Sequence, residues 1–225
     1  MRKRYLISAL LAVAAALPSL AQSTIFSNPS NRAYFGVRAG VDITSPGAIT
    51  IEDVSLDVFK NGAGFEFGGI YNIPIVANFY IEPGLKLFFS NYSIKDDFVH
   101  AMEDDIIYDA MSIHKFGMRV PVLAGYHFDF TPDIRVSIFT GPELQIGFKG
   151  DLTIKSGNSE NSSSIFGDDG VMSRFNLLWG IGAGVEWRHI CFNVNGGIGI
   201  INTLRDSGPV TLRENHLTLS LGYNF

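Results

Sequence analysis

The sequence is poor in cysteine and in charge. Cys191 is the only cysteine among 225 residues, which excludes a disulfide scaffold and a zinc site built from several cysteines. Charged residues make up 17% and aromatic residues 12% of the chain, a combination that excludes a disordered polypeptide. The formal net charge of −5 argues against a protein that binds the phosphate backbone, so no nucleic-acid partner is expected.

Long apolar runs are also scarce. Residues 1–21 have the form of a secretory signal peptide, with a basic start, the uncharged stretch Tyr5–Leu17, and the small residues Ser19 and Ala21 where signal peptidase reads. After this leader no run of eighteen apolar residues occurs, so no transmembrane helix is predicted. Residues 22–225 are therefore expected to be exported, either as a soluble protein or as a β-barrel that enters a membrane.

From residue 33 onward the sequence alternates between apolar and polar residues with a period of two, which predicts strands. Eight such segments are predicted, at about residues 34–43, 63–73, 78–92, 113–128, 134–148, 173–188, 190–201 and 216–225. Long and short connections between them alternate strictly, as in barrels with long external loops and tight periplasmic turns. The sequence thus predicts an all-β fold: an eight-stranded antiparallel up-and-down transmembrane β-barrel over about residues 33–225, with no second domain.

The apolar face of these segments indicates which side meets lipid. It carries no charged residue, whereas the opposite face is rich in glycine, which suits a crowded lumen. Aromatic residues of the apolar face sort by height. One end has Phe65, Phe67, Phe89, Phe116, Phe148 and Phe175, and the other has Phe35, Tyr71, Phe79, Tyr126, Phe128, Trp187, Phe192, Tyr223 and Phe225. Two aromatic belts around an aliphatic band favour an outer-membrane barrel over a soluble lipocalin-like binder, the alternative.

The C-terminus carries a family resemblance. The last seven residues, LSLGYNF, resemble the terminal-strand signal read by the outer-membrane assembly machinery, with Tyr223 and Phe225 as its aromatic positions. Residues 80–85 (YIEPGL), 120–126 (VPVLAGY), 141–144 (GPEL) and 182–187 (GAGVEW) resemble the porin-like outer-membrane β-barrel family common in Bacteroidetes, which includes PorT-like members. The resemblance implies an outer-membrane location and, through those members, accessory work in secretion. It specifies no activity, because fold does not imply function.

Charged residues on the polar face are the main candidate site. Six positive and five negative residues are expected to point into the lumen: Arg38, Lys86, Arg119, Arg135, Arg174 and Arg188, with Asp42, Glu66, Glu82, Glu143 and Glu186. Eight strands leave an interior just wide enough for side chains to fill, and buried ions must pair. We therefore expect a structural ion-pair network that closes the lumen; a gated solute path is the alternative.

Two further sets of residues allow other hypotheses. His216, Thr218 and Ser220 share the inward face of the last segment, and a lipid-modifying enzyme would need such groups. Acidic residues in two outer loops could bind a divalent cation or belong to a solvated surface. They are Asp96, Asp97, Glu103, Asp104, Asp105 and Asp109 in one loop, and Asp168 and Asp169 in the other. Residues 99–107 could form a short helix that contacts a partner.

The function expected from the sequence is structural or interactive. We expect a closed, charge-paired barrel with long surface loops, without catalytic residues, cofactor or metal. Its expected partners are outer-membrane lipid, the assembly machinery and a protein that contacts the surface loops. A narrow or gated porin-like channel is the alternative, followed by an outer-membrane enzyme that modifies lipid.

Overall fold

The computed structural model describes residues 32–52, 54–97, 110–157, 159–167, 170–205 and 207–225. The predicted signal peptide, the predicted helix at 99–107 and most of the acidic loop residues, from Glu103 to Asp109 together with Asp168 and Asp169, lie outside this part of the chain. Among the described residues, no helix is long and apolar enough to cross a membrane.

Thirteen strands form within the described residues. They are β1 (Tyr34–Pro46), β2 (Ile49–Ile51), β3 (Val54–Leu56), β4 (Phe59–Lys60), β5 (Gly62–Val76), β6 (Phe79–Ile94), β7 (Ala110–Thr131), β8 (Ile134–Ser156), β9 (Ser159–Ser164), β10 (Phe175–Trp187), β11 (Ile190–Gly199), β12 (Val210–Thr211) and β13 (Glu214–Asn224).

Eight long strands close into a ring. The order is β1-β5-β6-β7-β8-β10-β11-β13, every neighbouring pair is antiparallel, and β13 pairs with β1 again. Val41 pairs with Leu219 between β1 and β13, and Ile138 pairs with Ala183 between β8 and β10. The predicted all-β eight-stranded antiparallel barrel is confirmed. The short turns at residues 77–78, 132–133 and 188–189 define its lower end, and the long connections define its upper end.

The upper end carries strands that the sequence pattern did not predict. β8 continues to Ser156, beyond its expected end at 148, and pairs there with β9. β2, β3 and β12 form a separate three-stranded sheet. β9 reads SENSSS and is exposed throughout, so it has no apolar alternation that could reveal it. Beneath these strands lies an apolar cluster, called here the upper cap: Val58, Phe59, Tyr92, Ile113, Ile165, Phe166, Met172 and Leu212.

The two faces of the barrel wall have opposite chemistry. Ile138 and Ile181 on the outer face are 50% and 60% exposed, whereas Arg119 and Glu143 on the inner face are 2% and 0% exposed. A soluble barrel has the reverse arrangement, because an apolar outer face would be exposed to water. The outer face is therefore the lipid-facing surface of a transmembrane barrel, as its alternation predicts.

Aromatic rings mark both edges of this lipid-facing surface. Near the upper end Phe65 contacts Phe89 and Phe116 contacts Phe148, with ring centroids 5.5 and 5.8 Å apart. Near the lower end ring contacts join Phe79 to Tyr126, Tyr126 to Phe128, Tyr223 to Phe225 and Phe225 to Phe35. These rings form the upper belt and the lower belt, the positions that aromatic side chains take at the two membrane interfaces.

Candidate functional site

The middle of the lumen contains a chain of ion pairs. The Nη1 atom of Arg119 on β7 donates to Glu66 Oε2 at 2.6 Å and to Asp42 Oδ1 at 3.2 Å. Lys86 on β6 donates to Glu66 Oε1 at 2.7 Å. Asp42 on β1 also accepts a hydrogen bond from the Thr218 hydroxyl at 2.7 Å. These side chains are all at least nine-tenths buried, so each charge depends on its partner for stabilisation.

His216 on β13 extends this network to Glu143 on β8. Its Nε2 atom lies 3.1 Å from Glu143 Oε2 and its Nδ1 atom 3.3 Å from Asp42 Oδ1. Carboxylate oxygens are acceptors, so the Nε2 atom donates to Glu143, and the Nδ1 atom also lies 3.2 Å from the Thr218 hydroxyl oxygen. Asn195 donates to the other oxygen of Glu143 at 2.7 Å. The central network then joins three basic side chains to three carboxylates: Lys86, Arg119 and His216, with Asp42, Glu66 and Glu143.

Glycines make room for this network. A Cβ atom at Gly180 would lie 2.3 Å from Glu143 Oε1, and one at Gly197 would lie 2.1 Å from His216 Nε2. Both distances are far below van der Waals contact, so a larger residue would displace a charged side chain. The glycine-rich lumen face of the sequence thus reflects the volume of the charged groups opposite.

A second buried group lies above the central network. Lys115 on β7 forms an ion pair with Glu214 on β13, and the Tyr92 hydroxyl donates to Glu214 Oε1 at 2.5 Å. The Lys115 ammonium also lies 5.0 Å from the centre of the Tyr92 ring. Tyr92 belongs to the upper cap, so polar pairing and apolar packing together close this end of the lumen.

The lower half of the lumen is looser. Arg38, Glu82 and Glu186 line it, and none of the three has an ion pair within 4.0 Å among the described residues. Asn72 and Asn224 donate instead to Glu82 and Glu186, at 3.2 and 2.8 Å. The cavities here measure about 10 and 20 Å³, enough for single water molecules.

Two of the predicted lumen charges lie elsewhere, and a third lies at the lower rim of the lumen. Arg174 is exposed at the upper end, just before β10 begins. Arg188 lies in a lower turn with φ 57° and contacts Asp133 at 3.4 Å. Arg135 contacts Asp129 at 2.7 Å at the lower rim. The predictions for Arg174 and Arg188 are wrong because alternation holds only inside a paired strand, and both residues lie outside one.

Other lumen residues were missing from the predicted network. The sequence pattern predicts His216 on the inward face but not in the ion pairs, and it leaves Lys115, Glu214 and Asn195 out of the network. Asn195 already lies on the inward face that the alternation predicts, and Lys115 shares the parity of Arg119, so extending the alternation along that strand places Lys115 inside as well. Nothing in the sequence shows which strands meet, because Asp42 and Arg119 are 77 residues apart.

This ring of strands, with an apolar exterior and paired charges inside, defines a transmembrane β-barrel protein. A family model described as "Outer membrane protein beta-barrel domain" matches residues 20–205. The chain therefore belongs to that family and is an integral protein of the outer membrane. The narrower assignment to Bacteroidetes and PorT-like proteins stays a prediction.

Several solved structures are similar to the chain at low identity. They include Ail of Yersinia pestis in complex with sucrose octasulfate (14% identity, 86% of this chain and 99% of that chain, TM-score 0.41). Neisserial surface protein A follows with 12% identity, 85% and 97% coverage and a TM-score of 0.43. OprG from Pseudomonas aeruginosa has 14% identity, 86% and 96% coverage and a TM-score of 0.46. No curated protein matches the chain.

Proposed function

We propose that this protein is a non-conducting outer-membrane barrel whose upper end serves interaction, with a structural or secretion-accessory role. The observation that carries the proposal is the occupied lumen. Arg119 reaches across from β7 to Asp42 on β1 and Glu66 on β5, and His216 bridges to Glu143 on β8. A conducting pore needs a continuous water path, and the two cavities that the described lumen residues enclose, of about 10 and 20 Å³, are too small to form one.

Current across a planar lipid bilayer tests this proposal. The purified, folded protein is expected to give no steady open current. A variant with Glu66→Ser, Lys86→Ser and Arg119→Ser removes three of the filling side chains together and is expected to conduct. Its folding is checked by heat-modifiable gel mobility. A steady current through the wild-type protein would overturn the proposal and favour the gated-channel alternative.

The upper end supports the interaction role. The β2-β3-β12 sheet packs against the upper cap through Ile49. It exposes Ile51, Val54 and Leu56 to solvent, at 40%, 59% and 40% of their surface. Exposed apolar residues on an ordered surface are typical of contact sites. A photo-crosslinking residue at Val54 is expected to give a discrete adduct in native outer membranes. The matched control is Val76, 58% exposed at the lower end, which is expected not to give this adduct.

A catalytic role has less support. Ser220 and His216 lie four residues apart on one strand, about 13 Å along it, too far for the serine and histidine of a catalytic triad. His216 is engaged by Glu143 and Asp42 instead. Accordingly, Ser220→Ala is expected to leave the lipid A composition of the cell unchanged, as analysed by mass spectrometry. A change in lipid A acylation would support the enzyme alternative.

A further inference from the structure

A basic pocket lies at the upper end of the barrel wall, where β10 begins. It is lined by Gly167, Met172, Ser173, Arg174, Phe175 and Arg205, and its volume is about 300 Å³. Neither arginine belongs to the lumen network, and both are exposed. Phe175 of the lipid-facing surface is one of its lining residues, so the pocket borders the upper edge of that surface.

The height of the pocket matches the lipid headgroups. Phe175 and Phe148 belong to the upper aromatic residues of the lipid-facing surface and are 55% and 46% exposed. Arg174 and Lys149 are their neighbours in sequence on the side away from the membrane centre, about 3.3 Å further along each strand. Aromatic side chains lie at the level of the headgroups. The two cations consequently lie at or just above that level on the outer leaflet.

A β-bulge builds one wall of this region. Phe116 pairs with Lys149 while its neighbour Gly117 pairs with Gly147, so β8 has an extra residue here. As a result Phe148 and Lys149 are both exposed, which breaks the alternation and turns the Lys149 side chain outward. Bulges that redirect a side chain in this way are common beside functional sites.

The Arg174 side chain is held by the bulge. Its Nη1 atom donates to the backbone oxygen of Phe148 at 2.9 Å and to that of Gly147 at 3.4 Å. Its guanidinium carbon lies 5.4 Å from the centre of the Phe166 ring. On the other side of the pocket the Arg205 guanidinium donates to the Gly167 backbone oxygen at 2.6 Å. Both guanidinium groups are therefore oriented by the backbone.

The charge of Arg174 is not balanced by an ion pair among the described residues. Backbone oxygens orient a guanidinium but do not neutralise it. Lys149 does have an acidic partner, Asp151, at 2.9 Å, so it contributes less to the local potential. A planar guanidinium is well suited to a phosphate group, which it can bind through two parallel hydrogen bonds.

We propose that the Arg174–Arg205 pocket binds the phosphate group of a phosphorylated lipid in the outer leaflet. The headgroup phosphate accepts hydrogen bonds from Arg174, and the acyl chains lie against Phe175 and Phe148 below it. The proposal concerns the upper rim of the barrel and does not depend on whether the lumen conducts.

Native mass spectrometry of the full chain in detergent micelles tests this proposal, with diphosphorylated lipid A and the same lipid after dephosphorylation as probes. The phosphorylated form is expected to bind more tightly to the wild-type protein. Arg174→Gln is expected to weaken its binding about tenfold, the effect of losing one charge-assisted contact. Arg174→Lys keeps the charge and is expected to retain part of the affinity.

The matched control is Arg188→Gln. Arg188 is also exposed and lies 5.5 Å from the ring of Trp187, but at the lower end. It is expected to leave lipid binding unchanged, and heat-modifiable mobility confirms that both variants fold. Equal binding of the two lipid forms, or equal losses in Arg174→Gln and Arg188→Gln, would contradict the proposal. Complete displacement of lipid by millimolar inorganic phosphate would also overturn it, since the ligand would then be free phosphate.

Discussion

At the scale of single residues, each charge of the central network is stabilised by side chains from other strands. The Glu66 carboxylate has Lys86 on one oxygen and Arg119 on the other. Removing one partner from such a group leaves a buried charge unpaired, which costs far more than losing an ion pair at the surface. The residues at the centre of the network should therefore dominate the stability of the barrel.

Arg119→Met tests this expectation. The substitution keeps much of the side-chain volume but leaves Asp42 and Glu66 without their shared cation, and we expect the free energy of unfolding to fall by about 3–5 kcal/mol. Urea unfolding in lipid vesicles, followed by the fluorescence of Trp179 and Trp187, measures it. The control Arg188→Gln breaks only an exposed contact and should cost about 0–1 kcal/mol. Similar losses in both variants would show that the central network does not stabilise the fold.

Gly197→Ala tests the packing of the lumen. Its Cβ atom would lie 2.1 Å from His216 Nε2, so the imidazole must move away from Glu143 or Asp42. We expect a loss of about 1–3 kcal/mol in the same unfolding measurement. Gly196→Ala is the matched control, because the nearest atom to its Cβ would be 3.8 Å away on the other face. Gly196→Ala should be neutral, and a larger loss there than at Gly197 would contradict this account of the glycines.

At the scale of elements, the alternating pattern predicted the eight barrel strands but not the strands above them. Inside the barrel, lipid on one side and a filled lumen on the other impose a period of two on the sequence. β9 has solvent on both faces, so its SENSSS sequence carries no such pattern. The bulge at Gly147–Lys149 could not be predicted from the sequence either, because an extra residue is defined only by how β8 pairs with β7.

The proposed assembly signal, which runs along β13 to Phe225, can be tested at this scale. The Phe225 ring lies 6.1 Å from Phe35 on the neighbouring strand and 5.0 Å from Tyr223, so it belongs to the lower belt. We expect Phe225→Ser to reduce the folded fraction in cellular outer membranes, measured by heat-modifiable mobility on immunoblots.

Phe130→Ser is the control for this change. Phe130 is 70% exposed at the lower end, close to the 68% of Phe225, but it adjoins the turn between β7 and β8 rather than the last strand. It should assemble normally. If Phe130→Ser impairs assembly as much as Phe225→Ser, general loss of an aromatic anchor explains both results and the C-terminal signal does not.

At the scale of the whole molecule, closure of the ring and filling of the lumen are linked. Eight strands give an interior that side chains can fill completely, and the central network uses residues from seven of the eight, while Gly180 leaves space on the eighth. The sequence predicted the strand number, but not which charges pair, because pairing follows from register and tilt. The lower half, with Arg38, Glu82 and Glu186 around small cavities, is where closure is least complete.

Cys191 reports on this closure. It is 3% exposed and lines the lower cavity of about 10 Å³. A water-soluble methanethiosulfonate reagent is too large for that cavity, so we expect the thiol to stay unmodified in the folded barrel and to react after unfolding, as followed by intact mass. A variant with Cys191→Ser and Ser163→Cys places the single thiol on exposed β9 and should react at once. Rapid modification of Cys191 in the folded wild-type protein would reveal a continuous aqueous path from the lower end, and the lumen could then not be closed in the way the ion pairs suggest.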